Sequence, residues 1–229
     1  MYTMEDLKTN RDAQITVGSI LFFVLAFPIY FGIAAGNADT GFASAAGDYQ
    51  VSGELTYVML DSGSESIADG DTWSMTYNTD AVDNADDLNI VGVRISMSYG
   101  EDETSSNCAG GDGADTITGT ASHLTFNASG DGQNNGGSGA HEVSAIWYNE
   151  SMIGANVSGL SLNEIKEQID SMGAGLGDHT VSIGVDAETG AQNPPILCQR
   201  SDGGETVDYN VELIVLDYTI EAAQSSGEE

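Results

Sequence analysis

The sequence predicts a mainly β protein, with an N-terminal transmembrane helix followed by an immunoglobulin-like β-sandwich that carries one inserted helix. Three observations point there. The stretch Ala13 to Gly36 holds no charged side chain. Downstream, apolar residues alternate with polar ones in about seven runs, separated by connections rich in Gly, Asp, Asn and Ser. A single segment beginning at Ser161 shows instead the capping and spacing of a helix.

A helix rises about 1.5 Å per residue, so roughly 20 apolar residues match a hydrocarbon core of about 30 Å. Ala13 to Gly36 meets that length, and its polar members Gln14, Thr16 and Ser19 lie near its start. Lys8 and Arg11 precede the span and the next basic residue is Arg94, so the positive-inside rule keeps Met1 to Asp12 in the cytoplasm. Pro28 removes one helix hydrogen bond and favours a kink, which membrane helices tolerate. A cleavable signal is the competing expectation, because Ala34, Ala35, Gly36 and Ala38 follow the apolar run. Against it, the run exceeds the usual h-region of about 7 to 15 residues. The expected organisation is a cytoplasmic segment 1–12, a single-pass anchor 13–36, a tether 37–47, an extracytoplasmic domain 48–222 and an acidic disordered tail 223–229.

Within the domain, Tyr49, Val51, Leu55, Tyr57 and Met59 alternate with Gln50, Ser52, Glu54 and Thr56, the pattern of a half-buried strand. Residues 61–71 read as a polar connection. Trp73, Met75 and Tyr77 form the next strand, and Val91 to Tyr99 another after the acidic turn 83–87. Residues 101–119 and 130–139 read as long surface loops, with a short strand at Leu124 and Phe126 between them. Val143 to Tyr148 resumes strand character. Ser161 and Glu164 form a capping-box pattern, Leu160 and Ile165 staple the entry, and Ile165, Ile169 and Met172 share a face before Gly173 stops the helix. Val181 to Val185 is a further strand. Val207 to Ile220 is the longest, and its apolar phase shifts between Val215 and Leu216, which predicts a bulge or burial on both faces.

Charge narrows the function. Asp and Glu total 36 against five Lys and Arg, a net charge of -31, while charged residues make up only 18% of the chain. The imbalance therefore comes from missing cations, the composition of a surface suited to high salt. Nucleic acid is excluded as a partner, since phosphate binding needs basic clusters. The cysteines, Cys108 and Cys198, lack CxxC spacing and sit in turn-rich sequence, so in an exported domain they are expected to pair. Asn127, Asn149 and Asn156 head N-glycosylation sequons. Gly110 to Thr118, GGDGADTIT, fits one copy of the calcium-binding nonapeptide of parallel β-helices, which makes Asp112 and Asp115 the candidate calcium ligands. The nonapeptide is not repeated, so a solvated loop is the alternative. His123, His141 and His179 are scattered, and neither HExxH nor GxSxG occurs, so no catalytic residue is nominated and no cofactor beyond calcium is implied.

Gln14 to Phe23, QITVGSILFF, placed just after Arg11-Asp12-Ala13, resembles the start of archaeal archaellins and related type IV pilin-like proteins. That resemblance implies an apolar helix that packs in a filament core and carries an outer β-sandwich. Pro28 and the break at Gly36-Asn37 depart from a long unbroken filament helix. The leading expectation is thus a non-enzymatic, membrane-anchored surface protein that binds an envelope protein, a glycan or another copy of itself. A filament subunit is second, and a calcium-dependent binder or envelope hydrolase third. The composition makes a direct prediction: the melting temperature of the full chain rises between low and molar KCl, as followed by circular dichroism, whereas an unchanged or falling value removes the argument from charge.

Overall fold

A computed structural model describes residues 46–134 and 136–223. The expected cytoplasmic segment, the anchor 13–36, most of the tether and most of the acidic tail lie outside the described residues. Among the described residues, no helix is long and apolar enough to cross a membrane.

The described chain is mainly β, with strands β1 (Gly47–Ala68), β2 (Thr72–Asn78), β3 (Ile90–Tyr99), β4 (Thr104–Ser106), β5 (Thr116–His123), β6 (Phe126–Gln133), β7 (Gly139–Ile146), β8 (Asn156–Leu160), β9 (Asp178–Asp186), β10 (Gln199–Ser201) and β11 (Gly204–Ala222). One helix, α1 (Leu162–Ile169), lies between β8 and β9. A five-stranded sheet has the order β7-β3-β11-β1-β8 and a four-stranded sheet the order β2-β9-β5-β6; β4 and β10 pair as a separate ribbon. Among the described residues the strand pairings are antiparallel, and the longest is β1 with β11, running from Tyr49↔Ala222 to Ala68↔Gly204.

The main core lies between the two large sheets. Val93, Ile95, Met97, Val143, Val207 and Val211 from the five-stranded sheet meet Ile117, Ala121, Val181, Ile183 and Val185 from the four-stranded one, all essentially solvent-free. Alternation sends Ile214 and Leu216 to the opposite face, where Ile165 and Ile169 of α1 cover them together with Val51 and Val91. Leu213, Ile214, Val215 and Leu216 are consequently all buried, and the ladder to β3 shifts register between Ile214 and Val215. The phase shift in the sequence is this bulge, with burial on both faces. The capping box of α1 is complete: Ser161 Oγ accepts from the Glu164 N–H at 3.3 Å, and Glu164 Oε2 accepts from the Ser161 N–H at 2.7 Å.

Several boundaries differ from those expected. Residues 61–68 are not a connection but the second half of β1, paired with Gly204 to Val211. Their inward face carries Ile67, while Ser62, Ser64 and Ser66 are exposed, so the outward serines conceal the strand. The segments read as long loops contain β4, the first half of β5 and the second half of β6, and Leu124 and Phe126 belong to the turn and start of the β5–β6 hairpin rather than to a separate strand. Small residues suit β5 because the sheets approach closely there: a Cβ on Gly119 would collide with Met97 Cε. Helix α1 also stops earlier than its apolar spacing suggests. Asn89 Nδ2 donates to the Ile169 carbonyl at 3.1 Å and Asn89 Oδ1 accepts from the Ser171 N–H at 2.8 Å, which satisfies the helix end from outside. Met172 then takes a left-handed φ of 49° and is 69% exposed, so it does not share the buried face of Ile165 and Ile169.

Cys108 and Cys198 form a disulfide across a sequence separation of 90 residues, beside the β4–β10 ribbon. Closing a loop of this length stabilises a fold by about 2 to 4 kcal/mol. Reduction, or paired Cys→Ser replacement, should therefore lower the melting temperature by roughly 5 to 15 °C. Calorimetry showing the same transition with and without reductant would contradict a structural role for the bond.

Candidate functional site

Two neighbouring groups of carboxylates form where residues 100–115 and 187–205 meet the ends of β5 and β11, and they are satisfied in opposite ways. The first is built on a cation. Pairing of β10 with β4 sets Arg200 opposite Ser105. Arg200 Nη1 then donates to Glu103 Oε1 and to Asp112 Oδ1, each at 2.8 Å, and its Nη2 donates to the Gly110 carbonyl at 3.0 Å. Glu103 Oε2 also accepts from the N–H groups of Gly113 at 2.8 Å and Gly190 at 3.0 Å. Burial alone would raise the Glu103 carboxyl; the Arg200 hydrogen bond and the two backbone donors outweigh it and hold the group below its usual range. The Gly110 to Gly113 segment is thus fastened by a guanidinium.

The second group has no such partner. Asp115 is fully buried, Asn134 is 2% exposed and Glu205 is 3% exposed. Asn134 Oδ1 accepts from the N–H of Asp115 at 3.0 Å and of Gly136 at 3.2 Å, which fixes the direction of its amide. Its Nδ2 consequently points into the carboxylates, donating to Asp115 Oδ2 at 2.8 Å, Glu205 Oε1 at 3.1 Å and Glu101 Oε2 at 3.2 Å. An amide nitrogen has two hydrogens, and here it faces three acids. The other donors are backbone N–H groups, from Glu188 to Asp115 Oδ1 at 2.7 Å, from Glu103 to Glu101 Oε1 at 2.9 Å and from Gly204 to Asp202 Oδ1 at 3.2 Å. Asp202 Oδ2 is closed off from solvent and has no hydrogen-bond partner. One oxygen each from Glu101, Asp115 and Asp202 lie within 4.8 Å of one another.

The electrostatics follow from that arrangement. Glu205 is pushed up to about 8, first by burial and then by its hydrogen bond to Asp115 and the charges of Asp102, Asp115 and Glu101. Burial is also the leading cause of the upward shifts of Glu101 and Asp202, with neighbouring carboxylates adding to it. An all-oxygen set of this kind suits hard cations such as calcium or magnesium rather than zinc.

The two aspartates expected to share an ion are therefore separated: Asp112 is held by Arg200, while Asp115 belongs to the second group. The other members, Glu101, Asn134, Asp202 and Glu205, were not singled out by sequence. They come from three places in the chain, and only the fold assembles them. Of the sequon asparagines, Asn127 and Asn156 are exposed on β6 and β8. Asn149 is half-buried, donating to Gln168 Oε1 at 2.8 Å and accepting from Ser151 Oγ at 2.7 Å. A groove on the outer face of the five-stranded sheet is lined by Ser62, Ser64, Ser96, Ser98, Asp208 and Asn210.

The histidines serve packing. His123 and His179 stack with centroids 4.3 Å apart, and Trp147 lies 4.9 Å from His123. The ring nitrogens of His123 face the carbonyls of Asp178 at 2.9 Å and Ala174 at 2.7 Å, and His179 Nε2 donates to the Gly175 carbonyl at 3.0 Å. The pair grips the chain that follows α1. His141 instead lies against Tyr99, with Nδ1 3.1 Å from the phenol oxygen. The chain matches no protein-family model, and no curated protein matches it significantly in sequence.

Burial, followed by the proximity of His123, pushes His179 down from 6.5 to about 4, against the hydrogen bond to the Gly175 carbonyl and the charge of Asp178, which act in the other direction. A histidine depressed in the folded state contributes stability that is complete above the unfolded value of 6.5 and is lost as pH falls toward 4. The loss amounts to up to roughly 3 kcal/mol. In denaturant titrations, His179→Phe should flatten this part of the acid limb while keeping the stack on His123. Parallel pH profiles for the two proteins would contradict the assignment.

Proposed function

We propose that this chain is a single-pass, membrane-anchored cell-surface protein whose immunoglobulin-like β-sandwich serves as a non-enzymatic structural or binding module at the envelope. The observation that carries it is the Cys108–Cys198 disulfide in a domain that follows an uncharged, membrane-length segment. Disulfides persist in oxidising, extracytoplasmic surroundings, and a segment flanked on its N-terminal side by Lys8 and Arg11 directs the chain beyond it outward. The two-layer arrangement supports the sandwich assignment. The net charge of -31 supports a saline setting, and exposed Asn127 and Asn156 are the sequon positions open to glycans. The serine-lined outer face of the five-stranded sheet offers hydroxyl and amide groups to an envelope glycan or protein.

A filament subunit is the second reading, favoured by the resemblance of Gln14 to Phe23 to archaellin and pilin-like proteins. The mature N-terminus separates the readings. Peptide mapping of protein from native membranes should recover peptides from residues 1–12 in the membrane fraction. A start at Gln14 together with sedimentable filaments would replace the anchor by the filament. A start near Asp39 in the medium would make the protein secreted.

A further inference from the structure

The outer face of the four-stranded sheet carries an ordered array of hydroxyls with a sequon at its rim. On β5 and β9 the buried positions alternate with Thr118, Thr120 and Ser122 and with Thr180 and Ser182, so the outward side chains there are small and polar. Strand pairing aligns them in rows. One row runs Asn127, Ser122, Thr180, Thr76 across β6, β5, β9 and β2, and the next runs from Ser129 to Ser74. Both rows are uncharged, with Asp131 and Asp178 at their margins. The hydroxyls are oriented as well as placed. Ser74 Oγ donates to the Val181 carbonyl at 3.1 Å, Ser122 Oγ to the Thr180 carbonyl at 3.2 Å and Ser129 Oγ to the Gly119 carbonyl at 3.2 Å. A hydroxyl has one hydrogen and two acceptor lone pairs, so these groups keep acceptor capacity after their proton is committed. Such a face suits a ligand rich in O–H donors, and a net charge of -31 disfavours an anionic one. A neutral carbohydrate has that chemistry.

The three sequon asparagines are not equivalent. Asn149 is engaged at both ends of its amide, donating to Gln168 Oε1 at 2.8 Å and accepting from Ser151 Oγ of its own sequon at 2.7 Å. Asn156 lies on β8 opposite Gln50. Asn127 is exposed on β6, the outermost strand of the four-stranded sheet, and its side chain shares the face of Ser129. It therefore heads the first hydroxyl row. With strands about 4.8 Å apart, that row continues for roughly 14 Å from Asn127 to Thr76.

We propose that Asn127 carries a neutral N-linked oligosaccharide that lies across this hydroxyl face instead of extending into solvent. The inference rests on the extracytoplasmic reading above, and it fixes which sequon is used and where its glycan goes. Attachment joins the Asn127 amide nitrogen to the anomeric carbon of the sugar, supplied as a lipid-linked oligosaccharide phosphate by a membrane transferase. The anomeric C–O bond breaks, the lipid phosphate leaves with its electron pair, and the amide gives up one proton. Sugar O–H groups then donate to the oxygens of Ser122, Thr180 and Thr76. The four-stranded sheet in this way presents carbohydrate, not protein, to its surroundings. The serine-lined groove on the five-stranded sheet remains open for a partner.

The test begins with protein from native membranes, digested without reduction and read by mass spectrometry. The peptide containing Asn127 should carry a saccharide mass, and the peptides joined by Cys108–Cys198 should appear in the same digest. An unmodified Asn127 beside an intact disulfide overturns this proposal and leaves the extracytoplasmic reading in place. An unmodified Asn127 beside free thiols removes both. The position of the glycan is read on the intact glycoprotein in molar KCl by brief periodate treatment, which cleaves vicinal diols. The saccharide on Asn127 should be oxidised several-fold more slowly in the folded protein than in the same protein unfolded in urea. Thr76→Val combined with Thr180→Val, made in the native host, keeps β-branched residues in the strands and should narrow that difference. Equal rates in the folded and unfolded protein, or an unchanged difference in the double variant, overturn the docking of the glycan on this face.

Discussion

The constraint on which this structure most depends is the scarcity of positive charge. With five basic residues in the whole chain, nearly every carboxylate that the fold draws inward must be held by something other than a salt bridge. Among the described residues the one buried guanidinium, Arg200, is spent on Glu103 and Asp112 and fastens the glycine-rich loop. Elsewhere carboxylates are held by backbone N–H groups, by the amides of Asn134 and Asn78, by the hydroxyls of Tyr77, Tyr209 and Tyr218, by the capping box of α1 and, at Glu212, by Arg94. The same scarcity makes the interior selective about where acids go. Asp115 and Glu205 go inward where the Asn134 amide and the Glu188 N–H group can donate to them.

The backbone architecture explains why those acids converge. The β1–β11 ribbon brings the two ends of the domain together and forms the middle of the five-stranded sheet. One face of that sheet packs on the four-stranded sheet, and α1 and its neighbours cover the other only around Val51, Val91, Ile214 and Leu216, leaving the serine-lined groove open. The site sits at one end of this frame, where β11 begins and β5 begins. Its members are therefore positioned by the ends of strands that are rigid in their interiors, while the Cys108–Cys198 bond and the Arg200 clasp restrain the intervening loops. Such an arrangement permits close placement of polar groups without interrupting either sheet.

Much of the fold was legible because burial imposes period two on strands with one dry face. Val91 to Tyr99, Val181 to Val185 and the phase shift at Val215 could be read directly, as could the capping box at Ser161. The halves of β1 and β5 that escaped notice have small or hydroxylated residues where apolar ones are the usual signal. Ser62 to Ser66 faces solvent, and Gly119 sits where the sheets are too close for a side chain. The early end of α1 was hidden for a different reason, since Asn89, distant in sequence, supplies the cap. The disulfide could be inferred from compartment and count, but the acidic site could not. Of its members only Asp115 lay in a recognisable motif, and Asp112, its neighbour there, turned out to belong to Arg200. Glu101, Asn134, Asp202 and Glu205 carry no local pattern, and their burial is a property of the tertiary structure alone.

The central claim is that, among the described residues, Arg200 supplies the buried positive charge that fastens the glycine-rich loop through Glu103 and Asp112. Amide hydrogen exchange of Arg200→Gln beside the unaltered chain measures this directly. The account predicts faster exchange at the N–H groups of Gly113 and Gly190, which donate to Glu103 Oε2, while the interior of β3 keeps its protection. Unchanged exchange at Gly113 and Gly190 would contradict it.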